Sequence, residues 1–158
     1  MMLTDFGNSD DASLWYTVND NVMGGRSSGG FEIRTGRLIF SGVTNTDGGG
    51  FSSIRTGRRP QNLAGYQGIR LRMLADGRTY RFRLENRAGT SYFAPFHTEP
   101  GVHWQTAEIP FERFEPRRRG RLLDGPPLDT SEIESIGLMI YDKRDGPFRL
   151  EVDWIAAY

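Results

Sequence analysis

The feature that most constrains this chain is a recurrence of short alternating segments, each closed by Gly, Pro or Asp-Gly, with almost no helical period between them. Residues 31–34, 37–41, 51–55, 69–74, 79–85, 91–97, 103–109, 135–141 and 148–155 all read this way. Nine such stretches with regular turn signals predict an all-β sandwich or barrel. A short helical turn is expected in "LDTSEIESI", with Thr130 or Ser131 as N-cap. The 158 residues suit a single domain with a full core, expected to span residues 1–158.

One segment can be taken to residue register. In "IRLRMLADGRTYRFRLE" the Asp76-Gly77 pair suits a two-residue hairpin turn. Met73 is then expected opposite Tyr80, Leu71 opposite Phe82 and Ile69 opposite Leu84, all apolar and so facing the core. The same register sets Arg72 against Arg81 and Arg70 against Arg83 on the other face. Like charges directly opposite cost about 0.2–1 kcal/mol per pair, so this face needs compensation. Either acids on a neighbouring strand supply it (Glu85, Glu108, Glu151 and Asp153 are candidates), or the arginines line a groove for an anionic or hydroxyl-rich partner.

Charge and composition exclude several function classes. Twenty basic residues balance twenty acidic ones, so no global field draws the chain to nucleic acid or to a membrane surface. Lys143 is the single lysine, and the arginines supply planar forks for carboxylates, phosphates and aromatic faces. With no cysteine there is neither a disulfide framework nor a thiolate metal site. The acidic start has no apolar core of a secretory signal and no Arg-rich transit character, and no apolar run is long enough to span a membrane. The expectation is a cytoplasmic protein.

Candidate catalytic patterns are weak. "GRSSG", Gly25–Gly29, matches the nucleophile-elbow pattern with Ser27 as nucleophile, but glycine and strand follow where a helix is needed. His97 and His103 flank a Pro-Gly turn and lack a third ligand, so no metal is expected. "NTDGGGF" lacks the later Glu of a calcium loop, and no nucleotide fingerprint is present. "PRRRGR", Pro116–Arg121, is one short basic run whose four arginines could touch phosphates, with a solvated loop as the default reading. No cofactor is expected.

"LWYTVNDNVMGGRSSGGFEI" resembles the signature of the complex I intermediate-associated protein 30 family, in which a Trp precedes an N-D-x-V-M-G-G-x-S segment; here these are Trp15, Asn19, Asp20, Val22, Met23, Gly24, Gly25 and Ser27. The likeness continues through "GGGFSSIRT", "GIRLRML", "RTYRFRL", "SYFAPFHTEPGVHWQTAEIPFERF" and "IESIGLMIYDKRDGPFRLEVDWIAAY", in order along nearly the whole chain. It implies a galactose-binding-domain-like jelly roll, a β-sandwich of two antiparallel sheets. It also implies a non-enzymatic role in assembly, with a protein partner among respiratory-chain subunits, and, without a visible transit peptide, a bacterial or stand-alone member. A second implied reading is a carbohydrate-binding module, because such modules share this fold.

The candidate binding residues follow from these readings. Asp20, Asn21, Met23, Gly24, Gly25, Arg26 and Ser27 form an irregular loop suited to Asx turns and close backbone approach. It serves either to close the N-terminal region over the core or to hold a ligand. Arg70, Arg72, Arg81 and Arg83 form the expected cationic face, with Tyr92, Phe96 and Trp104 as platforms for a glycan and Gln105 as a further grip. The register also sets two stability expectations, both read by chemical denaturation. Leu71→Ala should cost about 2–5 kcal/mol by opening a core cavity. Arg72→Gln should change little or stabilise slightly, by relieving repulsion from Arg81.

Overall fold

Alternation in the sequence becomes alternation between core and solvent in a computed structural model, which describes residues 1–7, 13–34, 36–119 and 121–158, with only the backbone of Val22 and Met23. The described strands are β1 (Met2–Thr4), β2 (Trp15–Asn19), β3 (Ser28–Arg34), β4 (Arg37–Thr44), β5 (Ser52–Thr56), β6 (Gly68–Leu74) and β7 (Thr79–Asn86). They continue with β8 (Ser91–His97), β9 (Gln105–Pro110), β10 (Glu115–Arg118), β11 (Arg121–Leu122), β12 (Ile133–Ile140) and β13 (Gly146–Ala157). All nine predicted segments are strands, and β1, β2, β10 and β11 are additions. The additions are short or lie at sheet edges, where burial imposes little periodicity to read.

Two antiparallel sheets stack as a jelly-roll sandwich. One runs β3-β4-β13-β6-β9, with β1 also on β13; the other runs β11-β10-β8-β7-β12-β5-β2. Leu38, Phe40, Leu71, Met73, Leu150 and Val152 from the first meet Ile54, Tyr80, Phe82, Leu84, Tyr92 and Leu138 from the second, and all are essentially fully buried. Phe40 sits edge-on to Phe148 at 4.9 Å between ring centroids, and to Tyr80 at 6.3 Å. The expected helical turn is a 3-10 turn over Thr130–Glu132, but its cap is Asp129, whose carboxylate accepts from Ser131 N.

The expected 69–85 hairpin does not form. β6 pairs with β13 and β9, β7 with β12 and β8, and the two lie in opposite sheets. Asp76-Gly77 is a tight bend, with Gly77 at φ 88°, but it is a corner between layers. The Asp76 carboxylate anchors that corner by accepting from Arg78 N at 3.0 Å, Tyr80 OH at 2.9 Å and Arg149 N at 2.7 Å. Leu71, Met73, Tyr80 and Phe82 are buried as expected, because their apolar faces meet across the sandwich rather than side by side.

Arg78 explains why the corner wins. Its guanidinium is buried and fully engaged. It donates to both Asp142 carboxylate oxygens at 2.6 and 2.8 Å, to Thr44 Oγ1, and to the carbonyls of Arg144, Gly146 and Pro147. The Asp142 hydrogen bonds raise its pKa further, against the effect of burial. In the hairpin register this side chain would have none of these partners.

The four arginines therefore do not share a face. Arg70 and Arg72 lie outside the first sheet, where Arg70 pairs with Glu108 at 3.3 Å and Arg72 with Asp153 at 2.6 Å. Arg81 and Arg83 lie outside the second, and Arg83 pairs with Glu85. Arg72 has no repulsion from Arg81 to relieve. Arg72→Gln should then cost up to about 1 kcal/mol, as a partly exposed ion pair does, rather than stabilise. Asp142→Ala leaves a buried, uncompensated guanidinium and should cost about 3–5 kcal/mol in urea denaturation. A loss below that of Arg72→Gln would mean that Arg78 does not hold the corner.

Candidate binding groove

The signature loop folds around one carboxylate. Asp20 is fully buried at the start of a 3-10 turn, Asp20–Met23. Its Oδ1 accepts from Ser27 N at 2.9 Å, and its Oδ2 accepts from Gly50 N at 2.7 Å and Phe51 N at 3.2 Å. Burial pushes its pKa up, but these hydrogen bonds outweigh it and hold the group below the usual carboxylate range. Gly25 and Gly49 lie directly against the Asp20 side chain, where an added Cβ would approach its heavy atoms to 2.3 and 2.7 Å. Ser27 Oγ accepts from Asn45 N at 2.8 Å and donates to Asn45 O at 3.3 Å. Strand β3 follows Ser27, so the elbow geometry is absent.

This clamp ties β2 to the segment before β5 and so builds one wall of a groove on the outer face of the second sheet. The groove encloses about 620 Å³, with Val18, Gly49 and Phe51 at the clamp end. Cross-strand register sets its floor. One row runs Tyr16–Arg55–Gly137–Arg83–Phe93, and the next runs Val18–Ser53–Met139–Arg81–Pro95. Arg117, Arg118, Arg119 and Leu123 close the far end. A second hollow of about 300 Å³, lined by Tyr16, Glu85, Arg87, Glu134 and Ser135, continues along the same face.

The groove is strongly cationic. Six arginines line it and, among the described residues, no carboxylate does. Arg83 is buried and donates to Ser135 Oγ and Ser91 Oγ as well as Glu85. Arg117 pairs with Glu115 at 3.0 Å. Arg55 is held only by Ser53 Oγ at 3.1 Å, and its buried Nε lacks a partner among the described residues. Burial, and then the charge of Arg83, push its pKa down to about 10. Arg81 lies over the Tyr141 ring at 5.2 Å, and burial followed by the charge of Arg117 lowers its pKa. Tyr141 in turn stacks parallel to Phe51 at 6.1 Å.

The structure separates the residues singled out from sequence. Arg81 and Arg83 meet in the groove. Asp20, Gly24, Gly25 and Ser27 belong to the clamp; Asn21 is exposed, Arg26 pairs with Asp47 at the surface, and the Met23 side chain lies outside the described residues. Tyr92 and Phe96 face the core and offer no ring to a sugar, because even-numbered positions of β8 point inward. Trp104 lies with the first sheet, its ring approached by Arg37 at 4.9 Å and Arg72 at 4.7 Å, while Gln105 is engaged with the Glu99 backbone. Sequence reasoning missed Arg55, Phe93, Arg117, Met139 and Tyr141. The available signal was the odd-position set of 91–97, which singles out Phe93 rather than Tyr92.

The chain matches the family model of the complex I intermediate-associated protein 30 over residues 4–152, and it belongs to that family. It is 36% identical over 95 residues to a probable complex I intermediate-associated protein 30, mitochondrial, of Caenorhabditis elegans, covering 56% of this chain and 28% of that one. It is 28% identical to the complex I intermediate-associated protein 30, mitochondrial, of Mus musculus, covering 97% of this chain and 54% of that one. The chain thus spans about half or less of these relatives' length. A family 11 carbohydrate-binding module of a cellulosomal cellulase of Clostridium thermocellum superposes with a TM-score of 0.71 over 98% of this chain and 92% of its own, at 21% identity, and so shares the fold. The expectation of a cytoplasmic protein is overturned. It rested on the lack of a visible leader, whereas both named relatives are mitochondrial.

The Asp20 clamp makes a pH-dependent prediction. A depressed folded-state pKa means that the stabilisation is present above the unfolded value of about 4 and is lost as pH falls through the folded value. Asp20→Asn removes one acceptor oxygen and leaves a buried N–H unpaired, a cost of about 1–3 kcal/mol near neutral pH. The difference from wild type should narrow below about pH 4; a constant difference across that range would exclude the ionised clamp.

Proposed function

We propose that this chain is a non-enzymatic binding module, one sandwich over residues 1–158, that holds a segment of a partner protein in the groove over β5, β12 and β7 during assembly of respiratory complex I. The observation that carries the reading is the concentration of cationic and apolar side chains in one concavity of an otherwise charge-balanced chain. Family membership supplies the setting, since the relatives are named for their association with complex I intermediates. Against a hydrolytic role, the Ser27 hydroxyl is occupied by the Asn45 backbone. Within this reading the Asp20–Ser27 loop acts as a wall and anchor, and Arg55, Arg81, Phe93, Met139 and Tyr141 make the contacts.

A second reading is a glycan module, favoured by the shared fold with the carbohydrate-binding module and by Phe93 and Tyr141 in the groove. The cover that Arg81 places over Tyr141 weakens it, because sugar stacking needs an open ring face. Capture of tagged protein from the source organism distinguishes the two. Wild type should retain complex I subunits identified by mass spectrometry, and the charge-reversed pair Arg81→Glu/Arg118→Glu should lose them. Capture of no such subunit, together with binding on a glycan array, would establish the second reading.

A further inference from the structure

Burying a charged side chain is costly unless a partner offsets it. Five half-buried or buried arginines obey that rule. Arg70, Arg72, Arg78, Arg83 and Arg117, none of them fully exposed, each have a carboxylate within ion-pair distance. Arg59 is held by the Leu3 carbonyl, whereas Arg55 and Arg81, in the groove, break the rule. Both are partly buried in the groove, and neither has a carboxylate partner among the described residues. Arg55 keeps one serine contact and an unpartnered buried Nε, and Arg81 keeps only a ring face.

Their placement is specific. Arg55 pairs with Gly137, Arg81 pairs with Met139, and these two neighbours lie two residues apart on β12. The two guanidinium forks therefore rise from opposite flanks of β12, two strand spacings or about 10 Å apart laterally. The surface between them is a glycine and a methionine, low and apolar. A chain lying over β12 passes between the forks, and an extended polypeptide brings alternate side chains to one face about every 7 Å. A planar guanidinium fork matches a carboxylate with two parallel N–H···O bonds.

Resting on the reading of the groove as a partner-protein site, we propose that Arg55 and Arg81 are the specificity-determining residues and that they take two carboxylates of an extended acidic segment of the partner, which lies over Gly137 and Met139. The bound segment supplies the counter-charges that the folded chain withholds from this pair while providing them to Arg70, Arg72, Arg78, Arg83 and Arg117.

The test uses the whole chain and a short capped peptide of alternating Glu and Val, titrated by calorimetry at low ionic strength. The peptide should bind, its Gln/Val counterpart should not, and Arg55→Gln and Arg81→Gln should each weaken binding about tenfold, as loss of a charge-assisted hydrogen-bond pair does. Arg149→Gln, on the opposite sheet, should leave affinity unchanged. Thermal melting controls for folding: Arg81→Gln should melt within a few degrees of wild type, because it removes a contact with the Tyr141 ring and no ion pair. Equal binding of the Glu and Gln peptides, or equal weakening by Arg149→Gln, overturns the proposal. So does binding of an oligogalacturonate in place of the peptide, which would assign the pair to an acidic glycan. Capture of complex I subunits by wild type but not by Arg81→Glu/Arg118→Glu, without peptide binding, sinks only this proposal; capture that survives the charge reversal sinks the groove reading itself.

Discussion

A single buried carboxylate organises the N-terminal third of this sandwich. Asp20 accepts three backbone N–H groups from two chain segments, and no side-chain cation neutralises it among the hydrogen bonds it makes. An ion in that position is tolerable only because every bond it receives is held rigidly in place. The glycines at 25 and 49 are part of the same constraint, since a side chain at either would collide with Asp20 itself. The loop that carries the family signature is therefore an internal joint. Its functional consequence is indirect: it sets Val18, Gly49 and Phe51 as the wall of the groove.

Arg78 plays the complementary part beside it, at the same end of the second sheet. Its guanidinium gathers Thr44, Asp142 and the backbone from Arg144 to Pro147 around the corner between the two sheets. Asp142 follows Tyr141 directly, so the bond that fixes the corner also fixes the ring beneath Arg81. The two joints thus anchor the same end of the groove, because Asn19, Ser52, Ile140 and Tyr80 share one cross-strand row. In the groove Arg55 and Arg81 add positive charge without an ion-pair partner among the described residues, in a molecule whose formal total is zero. Such local fields govern which partners associate and how fast, and they weaken with salt.

The sequence by itself determined which residues go inside. Alternation in 69–74 and 79–85 places Leu71, Met73, Tyr80 and Phe82 in the core whichever strands they pair with, because side-chain direction in a strand is a local property. It also determined the fold class and, through the signature around Asp20, the family. Pairing was decided only in the tertiary structure. A hairpin and a corner between layers bury the same four residues, and what separates them is whether Arg78 finds Asp142, 64 positions away. Long-range partners of this kind leave no periodicity to read. The groove was hidden for the same reason. Arg55, Gly137 and Arg83 are neighbours only because three distant strands align in one register. Whether an arginine is paired or left open to a ligand depends on which acid the fold brings to it.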